Sequence, residues 1–200
     1  MEILQGKHAL LIDPTSFIGR LAGYTRVHLD IGTGDGRYVR HIAQTHPDTF
    51  VIGIDACREN LIAISRRSPE NALFVIANAR ALPPELNRIA SQVTINFPWG
   101  SLCNGLLEND APLLDGLYRI LRPDAGLDIR LNGGALTEAG WTLESGAEQV
   151  RRTLAENGFM MSRPSAMTAA DLKAFPTTWA KSLAFGRDPR AIFLRGICQK

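Results

Sequence analysis

From residue 26 onward the chain alternates short apolar runs with stretches in which apolar residues return every three or four positions. RVHLDIG (26–32), TFVIGID (49–55), ALFVIANA (72–79), SQVTINF (91–97) and AGLDIRLN (125–132) read as buried strands. GRYVRHIAQTH (36–46), ENLIAISRRS (59–68) and PLLDGLYRILRP (112–123) have helical spacing, and Pro123 is expected to stop the last. Strands separated by about 10–15 helical residues pair in parallel through right-handed crossovers. The pattern therefore predicts an α/β fold, a mostly parallel sheet with helices on both faces. AIFLRGICQ (191–199) follows no such helix and is expected as an added edge strand. MEILQGKHALLID (1–13) alternates around Gly6-Lys7, which predicts an N-terminal β-hairpin extension over 1–14.

No repeat or linker interrupts the pattern, so residues 1–200 are read as one domain. Residues 133–190 are longer than one crossover needs. They contain GAEQVRRTLAENG (146–158), a helix with Gly158 as its stop, and PTTWAKSLAFGR (176–187), where Thr177 or Thr178 can cap a helix ending at Gly186. Insertions beyond the carboxyl edge of a parallel sheet are a common place for substrate recognition.

The loop LDIGTGDG puts Asp30, Gly32, Gly34 and Gly36 between a strand and a helix, where a helix N-terminus offers unpaired N–H groups. A dinucleotide fingerprint needs a glycine where Arg37 stands, and no GxxxxGK[ST] sequence exists, so neither a dinucleotide nor a P-loop site is supported. An acid just before the first glycine suits a cofactor with a cationic amine better than a pyrophosphate. Asp55 ends the second strand about 20 residues on, where a carboxylate can accept both ribose hydroxyls.

Composition adds bounds rather than chemistry. With 45% hydrophobic and 21% charged residues the chain is an ordinary globular one. It has no apolar run of about 18 residues and no secretory leader pattern at its start. Cys57, Cys103 and Cys198 lack metal spacing and read as buried or half-buried thiols of a reducing cytosol. No metal is expected. Net charge is +2, but residues 151–200 hold nine Lys/Arg against three Asp/Glu, which suggests a one-sided polyanion surface.

Asp30, the glycine loop and Asp55 together resemble the class I S-adenosylmethionine-dependent methyltransferases. That resemblance implies a Rossmann-like fold with a seven-stranded, mostly parallel sheet. It places Ala79 and Arg80 after strand three against the adenine; an acid is usual at Arg80, and Asn78 is then the alternative acceptor. VHLDIGTGDGR, IGIDACRENL, FPWGSL and WAKSLAFGR, in this order, resemble more narrowly the aminoglycoside-resistance 16S rRNA (adenine(1408)-N(1))-methyltransferases. This resemblance implies S-adenosylmethionine as cofactor and S-adenosylhomocysteine as product. Cofactor contacts are expected from Asp30, Gly32, Thr33, Gly34, Asp55, Ala56, Ala79, Arg80, Asn96, Phe97, Trp99, Ser101 and Thr177. Trp99 and Trp179 are expected to sandwich a flipped adenine, with Phe97 and Pro98 completing the catalytic turn. Spacing alone reads Trp179 differently, as a core anchor on one helical face with Leu183.

Arg66, Arg67, Lys181, Arg187 and Arg190 are the expected RNA contacts, and the assembled 30S subunit is the expected partner of a cytoplasmic monomer. Adenine N1 has a free lone pair, so no general base is expected, and His8, His28, His41 and His46 read as structural or surface residues away from the site. The alternatives are a tRNA methyltransferase such as a guanine-N7 enzyme, a nicotinamide oxidoreductase, and a catalytically silent RNA-binding module.

Overall fold

The computed structural model describes residues 1–186 and 189–199. Its strands are β1 (Glu2–Gln5), β2 (His8–Leu11), β3 (Arg26–Ile31), β4 (Thr49–Asp55), β5 (Ala72–Ile76), β6 (Ala90–Asn96), β7 (Leu121–Asn132), β8 (Phe159–Met161), β9 (Ser165–Met167) and β10 (Ala191–Cys198). Its helices are α1 (Pro14–Leu21), α2 (Arg37–Thr45), α3 (Arg58–Ser65), α4 (Gly100–Leu107), α5 (Ala111–Ile120), α6 (Gly133–Glu138), α7 (Leu143–Glu156), α8 (Ala169–Ala174) and α9 (Thr178–Ala184).

Five parallel strands in the order β5-β4-β3-β6-β7 make the centre of the sheet. β3 and β4 are buried almost throughout, as strands covered by helices on both faces must be. The winding reverses between β3 and β6, so a crevice opens beyond their carboxyl ends. All the chemistry below collects there.

At one edge the β1–β2 hairpin pairs antiparallel with β5 through Ile3 and Val75 and covers that strand's open side. Its turn is tied to α3: Ser65 Oγ donates to the Gly6 carbonyl and Arg58 Nη2 to the Lys7 carbonyl, both at 2.6 Å. At the other edge β10 runs antiparallel to β7 over Ala191–Ile197. It is not an edge strand, contrary to the sequence expectation. β8 and β9 cover its outer side, pairing with its C-terminal and N-terminal parts. Together they are one strand broken around Pro164, which has no N–H to donate, and the Ser162 N–H still bonds the Arg195 carbonyl at 2.7 Å. Counted so, the main sheet has seven strands and the hairpin adds two.

Pro123 does not end α5. The helix stops at Ile120, and Pro123 lies inside β7, where the register jumps from Ala90–Leu121 to Gln92–Gly126. The extra residues bulge outward, and Asp124 takes a left-handed φ of 59°. A bulge is where a strand tolerates proline. Helix α1 was not anticipated, although DPTS carries its signal: the Asp13 carboxylate accepts the Ser16 N–H at 2.9 Å and Pro14 takes the first turn.

Candidate active site

Gly32, Gly34 and Gly36 all have left-handed φ, 70°, 56° and 68°. At Gly36 a Cβ would lie 2.7 Å from both Ile64 and Phe74, so this glycine lets α2 start against the sheet; Arg37 need not be glycine for that. The loop's donors are largely consumed internally. Gly32 and Thr33 N–H bond the Ile54 carbonyl at 2.8 and 3.0 Å, Gly36 N–H bonds the Thr33 carbonyl, and Gly34 N–H bonds Asp55 Oδ2 at 2.7 Å. The expectation of free N–H groups is therefore corrected: this loop is no phosphate cradle, which agrees with the missing dinucleotide fingerprint.

Asp30 sits at the bottom, 1% exposed. Burial pushes its carboxyl up to about 6, against hydrogen bonds to its Oδ1 from the Thr94 hydroxyl at 2.7 Å and the Asn96 amide at 2.8 Å. His28 lies two residues earlier on the same face of β3, with Nε2 at 3.0 Å from Thr94 Oγ1. The single Thr94 proton goes to Asp30, so the imidazole is the donor and carries its proton on Nε2. Burial, then Arg130 and His46, push His28 down to about 4. His28 is structural, as expected, but it is not remote: it stands two hydrogen bonds from Asp30.

Asp55 lines the cavity with three donors already on its carboxylate: Gly34 N–H, Cys57 N–H at 2.9 Å and the Asn60 amide at 3.3 Å. A carboxylate has about four lone-pair sites, so one stays open and the second needs Asn60 to move. That narrows the expected contact to both ribose hydroxyls. Arg80 turns away from the role its position usually has: its guanidinium forms a two-pronged pair with Asp110, at 3.0 and 3.2 Å. Asn78 Oδ1 accepts the Arg80 N–H at 2.9 Å and so is partly spent on its own turn.

At the exit of β6, Phe97 adopts φ 53°, a left-handed value costly for a bulky residue. Its side chain is buried with Leu172, Ala180 and Ala191. Its ring packs against α8 and α9, and the left-handed turn lies two residues before Trp99. Thr177 rather than Thr178 caps α9, accepting the Ala180 N–H at 3.0 Å. Thr178 instead donates to Asp35 Oδ2 of the glycine loop at 2.7 Å, a bond between elements that no local pattern shows. Trp179 is 54% exposed, which removes the core-anchor reading; Ala180 is the buried residue of that helix. The Trp99 and Trp179 rings lie 5.8 Å apart, tilted by 34°.

All thirteen expected cofactor residues, with Pro98 and Trp179, line one cavity of about 340 Å3 at the sheet's switch point. Asp35, Asn60 and Thr178 line it too and were missed, because their place depends on loops meeting in space. Two carboxylates, small residues at the loop and a half-closed aromatic mouth fit a cationic nucleoside such as S-adenosylmethionine. A family model described as "NpmA: 16S rRNA (adenine(1408)-N(1))-methyltransferase" matches residues 2–198.

The chain belongs to the 16S rRNA (adenine(1408)-N(1))-methyltransferase family. It is similar to the Escherichia coli 16S rRNA (adenine(1408)-N(1))-methyltransferase, 32% identical over 208 residues and 94% of each chain. The solved 16S rRNA methyltransferase KamB superposes with a TM-score of 0.90 at 26% identity, covering 100% of both chains. A third structure, a Catenulisporales acidiphilia 16S rRNA (adenine(1408)-N(1))-methyltransferase solved with cosubstrate SAM, shares the fold at TM-score 0.87 and 23% identity, over 100% of this chain and 97% of that one.

Within this methyltransferase, the described residues among the expected RNA contacts lie on different elements. Arg66 caps the end of α3 and lines a separate cavity with Arg20 beside the hairpin. Lys181 lies exposed in the last turn of α9. Arg190 approaches Glu144 at 3.9 Å, and Arg187 lies outside the described residues. Cys103 and Cys198 are buried, whereas Cys57 is exposed, contrary to the sequence reading. No described helix is long and apolar enough to cross a membrane.

Proposed function

We propose that this methyltransferase modifies N1 of adenine 1408 in the 16S rRNA of the assembled 30S subunit, conferring aminoglycoside resistance. It acts as a single-domain cytoplasmic monomer, with residues 133–190 recognising RNA. The observation that carries the reading is the placement of Trp99 and Trp179 side by side, with their rings tilted to one another, on a cavity that Asp30, Asp55 and the glycine loop also line.

S-adenosylmethionine, when bound, supplies a methyl group on a cationic sulfur. Asp30 and Asp55 hold the cofactor's charged and hydroxyl groups, and Ala79 and Arg80 flank its base. The two indoles receive the flipped adenine, exclude water and aim N1 into the cavity, an orientation effect able to supply several kcal/mol. Positive charge that develops on the adenine gains about 0.5–2 kcal/mol from each indole face. No residue need remove a proton from N1. This agrees with a site whose one nearby imidazole is engaged with Thr94 and held uncharged.

Stacked bases repeat at about 3.4 Å, so a base between two rings needs roughly 6.8 Å. The pair stands at 5.8 Å and must part by about 1 Å and flatten its tilt to admit adenine. Arg66, Arg67, Lys181, Arg187 and Arg190 serve as phosphate contacts that position the enzyme rather than read sequence.

The deciding experiment is transfer of labelled methyl from S-adenosylmethionine to 30S subunits, naked 16S rRNA and tRNA in parallel, with the site mapped by reverse transcription. Labelling of 30S with a stop beside adenine 1408 is expected. Labelling of tRNA alone would keep the cofactor site and reassign the substrate.

A further inference from the structure

Arg130 on β7 touches both segments that carry the tryptophans. Its carbonyl accepts the Phe97 N–H at 2.7 Å, at the point where Phe97 turns into the left-handed region. Its guanidinium donates from Nη1 to Asn96 Oδ1 at 2.9 Å. The same group lies over two phenyl rings, Phe175 at 4.6 Å and Phe193 at 4.8 Å. Phe175 meets Phe97 edge-on at 5.6 Å and stacks on Tyr38 at 5.2 Å. Its carbonyl then accepts the N–H of Thr177, the cap of α9, at 2.9 Å.

These contacts have two consequences. Arginine is only a donor, so Asn96 must turn Oδ1 to it and Nδ2 to Asp30; flipping the amide would lose both bonds. The strained turn before Trp99 and the aromatic seat before Trp179 also share one rigid planar group, which a lysine ammonium would not replace.

We propose that Arg130 is a positioning residue that sets the spacing between Trp99 and Trp179. It acts through Asn96 and Phe97 on one side and Phe175 on the other, without touching the base. The inference rests on the reading of the two tryptophans as the walls for adenine, but its first test does not.

That test is far-ultraviolet circular dichroism of the full chain without cofactor or RNA, read at the strong indole band. Indoles 5.8 Å apart give a coupled signal, and Trp179→Ala supplies the reference for its loss. Arg130→Met is expected to lose more than half of the coupled amplitude and to lower kcat on 30S subunits at least about tenfold, with KM and the Kd for S-adenosylmethionine changed less than about threefold. Arg130→Lys is expected to recover only part of both. Phe193→Leu, which removes the second ring against the guanidinium, is expected to show a smaller loss of the same kind.

Wild-type amplitude and kcat in a folded Arg130→Met protein would overturn the proposal, as would a loss confined to cofactor affinity. If thermal melting shows Arg130→Met unfolded, Arg130→Lys and Phe193→Leu decide by the same two readouts. Loss of the coupled signal in a protein whose wild type methylates no 30S subunit would sustain the positioning role and reject the substrate reading instead.

Discussion

Single residues divide the work between holding shape and meeting ligand. Trp179 is more than half exposed and contributes little to the core. Trp179→Ala is therefore expected to leave folding and the cofactor Kd nearly unchanged while cutting methyl transfer to 30S subunits about 5–150-fold, the worth of one base–aromatic stack. Parallel calorimetry and turnover measurements check this, and a matching loss of cofactor affinity would place the indole elsewhere. Beneath the tryptophans, His28 and Asp30 couple folding to pH in opposite senses. His28, pushed down to about 4, contributes stability above pH 6.5 that is lost as pH falls towards 4. Asp30, pushed up to about 6, contributes stability below pH 3.8 that is lost as pH rises towards 6. Between pH 4 and 6 the two slopes oppose. In His28→Asn the Asp30 slope stands alone, so stability relative to wild type is expected to fall by on the order of 2 kcal/mol from pH 4 to pH 6. Denaturant titrations across that range measure it; parallel pH curves for the two proteins would contradict the pairing.

At the scale of elements, helix α9 is short, and among the described residues its ties are the Thr177 cap, the Asp35–Thr178 bond and the packing of Ala180, Leu183 and Ala184 in the cluster with Phe97 and Leu172. An isolated helix of this length has almost no stability of its own. Thr177→Ala should weaken it by about 0.5–2 kcal/mol. The expected result is faster hydrogen exchange confined to α8 and α9 and reduced turnover, with global melting little changed. A uniform rise in exchange across the sheet would show that α9 belongs to the global folding unit. By contrast, α2 is locked: Gly36→Ala puts a Cβ 2.7 Å from Ile64 and Phe74 at a left-handed φ, and is expected to lower melting strongly.

For the whole molecule the question is how a protein of net charge +2 finds a polyanion. Arg66 and Arg67 stand exposed at the end of α3. Arg66→Glu combined with Arg67→Glu is expected to weaken 30S binding and to reduce the slope of log affinity against log salt by about two charges or more. An unchanged slope would put α3 outside the interface. Cofactor affinity, measured beside it, should stay at the wild-type value.

The central parallel strands and the helices between them were legible because their periodicities are local and the signals long. Asp30, Asp55 and the glycines were legible because the winding of such a sheet brings strand ends 25 residues apart to one crevice. Trp99 and Trp179 were legible through motif resemblance, since spacing alone left Trp179 a plausible core residue. What local pattern could not carry was anything made by contact. β8 and β9 are three residues each, too short for a period, and exist because β10 offers them partners. Pro123 in β7 depends on a bulge that only pairing with β6 defines. The bonds from the glycine loop to Ile54 and Asp55, the turn of Arg80 towards Asp110, the Asp35–Thr178 bond and the contacts of Arg130 with two phenyl rings all join residues far apart in the chain. The sequence by itself thus determined the five central strands, the helices between them and, through motif resemblance, the cofactor class of the strand ends, because these follow from local periodicity and from residues held in short motifs. Tertiary structure alone decided which donors remain free, which carboxylate keeps an open lone pair and how far apart the two indoles stand, because each depends on distances between segments that only packing brings together.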